Sequence, residues 1–82
     1  MSDTRDGTRE GWVYSEPTNG IIARIVPDRG FAFIRAGQTD YFMHHSDYNG
    51  EFLSLKEQMR VLFTPAQTPK GPRACLVEKD TK

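Results

Sequence analysis

The chain has 82 residues, which is enough for one small domain, and its 11 basic residues balance 11 acidic ones. No apolar run approaches the roughly 18 residues of a membrane helix, and the acidic N-terminal segment lacks the hydrophobic stretch of a secretory signal. A single cysteine, Cys75, excludes a disulfide within the chain. These features predict a cytoplasmic protein without a membrane partner, in which any basic surface is local.

Residues 1–19 precede the first apolar segment. Residues 1–10 are polar and charged without apolar periodicity, which is typical of disorder. Trp12 and Tyr14 follow as aromatic residues within the largely polar residues 1–19. We favour a position in the flexible tail for both, and the alternative is that they dock on the domain. The sequence therefore predicts a disordered tail over residues 1–19 and an organised domain over residues 20–79.

Five short apolar segments follow, each rich in β-branched or aromatic residues and bounded by turn-forming residues. They are Ile21–Val26, Phe31–Arg35, Tyr41–His45, Met59–Thr64 and Ala74–Glu78. Three prolines and a glycine in Pro65–Pro72 predict a polar loop before the last strand. The pattern predicts an all-β fold, and a chain this short favours a small five-stranded barrel over two packed sheets.

In the second predicted strand, alternation places both phenylalanines on the face that also has two arginines. Because burying unpaired charge is costly, Ala32 and Ile34 on the opposite face are predicted to point inward. Alternation alone leaves open the reverse orientation, in which an arginine at the strand end extends to solvent. The residues of the predicted outer face are Arg29, Phe31, Phe33 and Arg35.

The third predicted strand repeats this arrangement. Phe42 and His44 share a face with Asp40, so an outward Asp40 places both rings in solvent. Two adjacent strands then present one aromatic patch, and an exposed patch of this kind indicates a binding surface. Aromatic rings beside arginines suit nucleobases, which stack on the rings while guanidinium groups meet phosphates.

Three motifs occur in order along these segments. Arg29–Ile34 has the sequence R-G-F-A-F-I, Tyr41–His44 has Y-F-M-H, and Lys70–Pro72 has K-G-P. They resemble the first and second ribonucleoprotein motifs and the turn before the last strand of the cold-shock domain family. The resemblance extends from Gly20 to about Glu78 and implies a five-stranded antiparallel barrel of the OB type.

The resemblance also implies a function. Members of the family bind single-stranded RNA or DNA and act as RNA chaperones, because holding bases unstacked disfavours hairpins by mass action. The positions that match the family's nucleic-acid contacts are Phe31, Phe33, Phe42, His44, the loop residue Phe52, and the basic residues Arg29 and Lys70.

The first strand departs from the family pattern. Where the family has K-W-F, this chain has Ala23–Ile25, so two stacking residues are lost and Arg24 is gained. Arg24 is expected to stack on a base or meet a phosphate, and we expect weaker or altered binding. An outward Arg24 in a regular strand also turns Ile22 and Val26 outward, so a β-bulge is predicted here.

No constellation of catalytic groups is present, so an enzyme, a cofactor and a small-molecule substrate are not expected. In a regular strand, His44 and His45 face opposite sides, and Cys75 is distant, which predicts no metal site. The alternative function is a protein-interaction module on a repurposed barrel, which the neutral charge and the missing tryptophan favour. An oligosaccharide-binding barrel is compatible with the fold, but fold alone does not establish function.

Overall fold

The computed structural model describes residues 11–80. Its strands are β1 (Val13–Tyr14), β2 (Thr18–Val26), β3 (Phe31–Ala36), β4 (Thr39–His44), β5 (Arg60–Thr68) and β6 (Gly71–Lys79). Two single-turn 3-10 helices, His45–Asp47 and Phe52–Ser54, lie between β4 and β5. Within this described range, no helix has the length and apolar character needed to cross a membrane.

The strands form one sheet that closes on itself. Their order is β1-β5-β2-β3-β4-β6, and a further pairing of β5 with β6 completes the barrel. All pairings are antiparallel except the contact between β4 and β6, where Phe42 lies opposite Arg73. The closed barrel confirms the predicted all-β, OB-type fold. β3 and β4 lie side by side as a hairpin, with β2 on one flank and β6 on the other.

The barrel interior is filled by inward-facing residues, which alternate with outward-facing ones along the strands. Ala32 and Ile34 of β3 and Met43 of β4 are fully buried, as alternation predicts. Gly20 allows β2 to pass close to them, because an added Cβ would lie 2.6 Å from Ile34 Cγ2 and 2.9 Å from Phe63 Cε1. The buried cluster consists of Ile22, Ala32, Ile34, Met43, Leu55, Val61, Phe63, Ala74 and Val77.

The predicted bulge in β2 is confirmed. Ile22 pairs with Ile34, and the next matched pair is Arg24 with Phe33, so the register shifts between them. This shift lets Ile22 be fully buried while Arg24 is exposed. The bulge is therefore what allows β2 to supply both a core residue and a surface cation.

The prediction of a loop over Pro65–Pro72 is wrong. β5 continues to Thr68 and β6 begins at Gly71, so only two residues form the turn. The Thr68 hydroxyl accepts a hydrogen bond from the Lys70 N–H (3.1 Å) and donates one to the Gly71 carbonyl (2.9 Å). Prolines lack a donor but keep an acceptor, and the Pro65 carbonyl accepts from the Ser15 N–H (2.9 Å).

The position of Trp12 and Tyr14 also differs from the one we favoured. Tyr14 pairs with Ala66 and Val13 with Gln67, so β1 continues the line of β2 along the same edge of β5. Tertiary pairing holds this segment, which no local pattern marks as a strand. Residues 1–10 of the predicted tail lie outside the described residues, and the division into tail and domain stays a prediction.

Candidate nucleic-acid interface

Phe31, Phe33 and Phe42 form a cluster on the outer face of β3 and β4. Their ring centroids are 5.3 to 5.9 Å apart, in tilted and edge-to-face orientations, and each ring is half-buried. The antiparallel register produces the cluster, because it sets Phe33 opposite Phe42 and Phe31 opposite His44. The predicted outward orientation of these residues is confirmed. The three rings hold one another in place by these contacts, and part of each ring stays exposed to solvent.

A row of cross-strand neighbours passes through this cluster. Arg24 of β2 pairs with Phe33, Phe33 with Phe42, and Phe42 with Arg73 of β6. The guanidinium carbon of Arg73 lies 5.6 Å from the Phe42 ring centroid, within the range of a cation–π contact. Two phenylalanines are therefore flanked by an arginine on each side.

Arg73 was not among the residues predicted from the sequence. It lies between the predicted loop Pro65–Pro72 and the last predicted strand Ala74–Glu78, and nothing local shows that β6 pairs with β4. In the structure, its Nη2 donates to Asp47 Oδ2 at 2.9 Å and its Nε donates at 3.2 Å. Asp47 Oδ2 also accepts from the His44 N–H at 3.2 Å. Both side chains of the ion pair are mostly buried, so the guanidinium plane is held in place beside Phe42.

His44 and His45 lie on the same side of the barrel, which corrects the prediction of opposite sides. Their ring centroids are 4.2 Å apart, and His45 is followed by Phe52 at 6.1 Å. The reason is that β4 ends at His44 and a 3-10 helix begins at His45, so strand alternation stops. Gly30, at φ +73°, leaves the space for His45, because an added Cβ would lie 2.7 Å from His45 Cδ2.

The His44 ring is held by a neighbour, since its Nδ1 lies 2.8 Å from the Ser46 hydroxyl. The predicted contact residues His44 and Phe52 thus form a second aromatic group next to the phenylalanine cluster, joined by His45. Among residues 11–80, no three His, Cys, Asp or Glu side chains lie close enough to hold a metal ion.

The predicted basic residues surround the cluster at different points. Arg24 is exposed beside Phe33, Arg29 is exposed in the turn before Phe31, and Lys70 is exposed in the β5–β6 turn. For the described part of the chain, none of these three side chains forms an ion pair. All three side chains extend into solvent around the phenylalanine cluster.

Arg35, by contrast, is paired within its own hairpin. Its Nε donates to Asp40 Oδ1 at 2.8 Å. This hydrogen bond lowers the pKa of the Asp40 carboxyl and raises that of the Arg35 guanidinium. Arg35 therefore belongs to a surface ion pair at the end of the face, and its charge is already compensated.

A groove of about 640 Å³ runs from the cluster to the β5–β6 turn. Phe33 and Phe42 lie along one part of it, Lys70 and Arg73 along another, and Trp12 lines it as well. The guanidinium carbon of Arg73 is 5.2 Å from the Trp12 ring centroid. The site is an aromatic surface with basic side chains around it, the combination that suits single-stranded nucleic acids.

Comparison with known proteins identifies the family of this chain. Residues 18–80 match the model of the 'Cold-shock' DNA-binding domain. The chain is 37% identical over 62 residues to the cold shock-like protein CspA of Bordetella pertussis, which covers 72% of this chain and 92% of that protein. It is 40% identical over 58 residues to the cold shock-like protein CspJ of Salmonella typhi, covering 67% of this chain and 83% of the relative.

A similar match of 40% over 58 residues links the chain to the probable cold shock protein A of Mycolicibacterium smegmatis, covering 67% of this chain and 87% of that protein. The structure is thus an OB-type barrel with an aromatic outer face. The chain belongs to the 'Cold-shock' DNA-binding domain family, whose members are nucleic-acid-binding proteins.

Proposed function

We infer that the outer face of β3 and β4 binds single-stranded RNA or DNA by base stacking. The observation that supports this most is the cluster of three half-exposed phenylalanine rings, 5.3 to 5.9 Å apart, between Arg24 and Arg73. Solvent-exposed aromatic surface costs free energy unless a ligand covers it. Stacking one base on an aromatic side chain contributes about 1–3 kcal/mol, so several rings give useful affinity.

The ligand is single-stranded because the rings need free base faces. In a duplex, each base is already stacked on its neighbours, and the aromatic face of a barrel cannot reach between them. An unpaired strand can place successive bases on Phe31, Phe33 and Phe42 while its phosphates pass near exposed cations. The proposed phosphate contacts are Arg24, Arg29 and Lys70; His44 and Phe52 stack on further bases.

A protein that binds in this way acts as an RNA chaperone. Bases held on the barrel cannot pair with other bases, so binding shifts the equilibrium of a hairpin toward the open strand. No bond is made or broken, and neither a cofactor nor a catalytic group takes part. We propose that the protein works in this way in the cytoplasm.

The test is fluorescence anisotropy with labelled single strands of about ten nucleotides, within the roughly 4–16 that one OB barrel covers. Pyrimidine-rich and purine-rich RNA and DNA are each titrated at 50 and 200 mM salt, since phosphate contacts weaken as salt rises. The wild type is compared with Phe31→Ala/Phe42→Ala. The matched control is Leu76→Ala, which removes a 77% exposed apolar side chain from outside the face.

We expect salt-sensitive binding by the wild type and by Leu76→Ala. The double variant should bind at least about 30-fold more weakly, because it loses two stacking surfaces of at least about 1 kcal/mol each. Circular dichroism checks that it remains folded. A folded wild type that binds none of the strands contradicts the proposal and favours a protein-interaction module, whose apolar contacts would tolerate salt.

A further inference from the structure

We propose that Trp12 is an additional base-stacking residue, which extends the binding face beyond β6 through the segment before the family domain. This inference rests on the proposed function and adds to it a residue outside the matched region, which begins at residue 18. It also assigns a role to β1, whose pairing with β5 holds Trp12 at the edge of the aromatic face.

The anchoring of Trp12 is the first step. Val13 and Tyr14 pair with Gln67 and Ala66, and the Ser15 N–H donates to the Pro65 carbonyl at 2.9 Å. Backbone hydrogen bonds on β5 therefore fix the residues directly after Trp12. Its ring is additionally 6.1 Å from the Tyr14 ring. A tryptophan attached in this way loses little further freedom when a ligand binds, which favours affinity.

The second step is the continuity of Trp12 with the face. Arg73 lies between two rings, 5.2 Å from the Trp12 centroid and 5.6 Å from the Phe42 centroid. Because Arg73 is also bound to Asp47, its planar guanidinium links the two aromatic groups instead of moving freely. Trp12 and Phe42 then line the same groove, together with Lys70.

The third step concerns the opposite flank. At the β2 end of the row, Arg24 stands where the family has an aromatic residue, so stacking surface is missing there. At the β6 end, Trp12 adds the side chain with the largest π surface. The aromatic surface of this protein is therefore displaced toward β1 and the β5–β6 turn. A bound strand should extend in that direction, with Lys70 near its backbone.

A competing role for Trp12 is purely structural, as a cover over Arg73. The chain has one tryptophan and three tyrosines, so emission excited at a wavelength that only tryptophan absorbs reports Trp12 alone. Unlabelled oligothymidylate and oligouridylate of about ten nucleotides are titrated while tryptophan emission is recorded. The same strands, labelled, are followed in parallel by anisotropy, which reports binding anywhere on the protein. No substitution is needed for this comparison.

We expect the emission to be quenched, with the same dissociation constant that anisotropy gives. Three variants complete the test: Trp12→Ala, Trp12→Phe, and the control Val13→Ala, which truncates the 66% exposed side chain of the adjacent residue in β1. Trp12→Ala should weaken binding about tenfold, the effect of losing one stacked base, whereas Trp12→Phe should stay within about threefold of the wild type. Val13→Ala should bind like the wild type.

Binding seen by anisotropy without quenching, or quenching without loss of affinity in Trp12→Ala, overturns the assignment of Trp12 and leaves the proposed function intact. Equal weakening by Trp12→Ala and Trp12→Phe also overturns it, since that pattern indicates a packing role. If no strand binds by anisotropy, the proposed function itself fails. Thermal unfolding of each variant shows whether its barrel is intact, and the wild-type titration decides if Trp12→Ala unfolds.

Discussion

The centre and the flanks of the outer face are built in different ways. At the centre, β3 and β4 pair in a regular register, and alternation together with the cost of burying charged neighbours places Phe31, Phe33 and Phe42 outward. At the flanks, β2 needs a bulge to expose Arg24, and Arg73 depends on a single parallel contact between β6 and β4. The centre is thus determined by local sequence, whereas the flanks are determined by how distant strands meet.

This difference explains what the sequence could predict. The inward positions of Ala32, Ile34 and Met43 follow from side-chain alternation and the cost of burying arginine, and the family motifs fall on the same strands. The β2 bulge is also predictable from the sequence. Without it, Ile22 and Arg24 would lie on the same face of β2, and either the apolar side chain would be exposed or the charged one buried. These inferences need only neighbours along one strand or one hairpin.

The errors lie where long-range pairing overrides local patterns. The prolines of Pro65–Pro72 predict a loop, although Pro65 and Pro72 both lie within strands, where they pair with Ala74 and Gln67, and the Pro65 carbonyl accepts a hydrogen bond from the Ser15 N–H. Trp12 lies in a polar stretch, and only the pairing of β1 with β5 shows its position. His45 was misplaced because the sequence gives no sign that β4 ends at His44.

The largest effect on stability should come from a substitution at Gly20, where β2 of the flank packs closely against Ile34 of β3 in the centre. Gly20→Ala adds a Cβ within 3.0 Å of Ile34, Phe63 and the Arg35 carbonyl. Overpacking of this kind should lower the free energy of unfolding by about 2 kcal/mol, measured by urea denaturation. Gly37→Ala is the control: it has open space but φ +64°, and should cost only about 1 kcal/mol. Equal losses of unfolding free energy in the two variants would show that close packing at Gly20 adds nothing to the cost of the substitution.

The second-largest effect should be on affinity, when an aromatic residue is added to the β2 flank. Arg24→Trp places a stacking surface beside Phe33, and affinity for a single strand should rise about tenfold in anisotropy titrations. Arg24→Ala should instead reduce the salt dependence of log K by about 0.7, the contribution of one phosphate contact. An unchanged salt slope would show that Arg24 meets no phosphate.

A smaller effect is expected at the turn before β5. Gln58 has φ +75°, a left-handed conformation that costs a non-glycine residue about 1–2 kcal/mol, and its N–H donates to the Ile22 carbonyl at 2.7 Å. Gln58→Gly removes this strain but adds chain entropy to the unfolded state, so a net gain of about 0.5 kcal/mol is expected. Thermal unfolding measures it; a loss of stability would mean that the Gln58 side chain has a stabilising contact.

The smallest effect concerns Arg35 and Asp40. Hydrogen bonding lowers the Asp40 pKa in the folded state, so the pair's contribution is present above the unfolded value of about 3.8 and is lost as pH falls through the lowered pKa. Arg35→Gln should return the pKa of Asp40 toward its ordinary value in an NMR titration. Stability at neutral pH should hardly change, because both groups are exposed. An unchanged Asp40 pKa would contradict the pairing.

The most direct test of the central claim is a map of chemical-shift changes when an unlabelled single strand of about ten nucleotides is added to isotope-labelled protein. Binding by the aromatic face predicts that the largest changes fall on the rings of Phe31, Phe33 and Phe42, with the Trp12 indole N–H beside them. The chemical shifts of Leu76 and Tyr48, which line a groove outside this face, should stay unchanged. Changes concentrated around Leu76, with silent phenylalanine rings, would contradict the account.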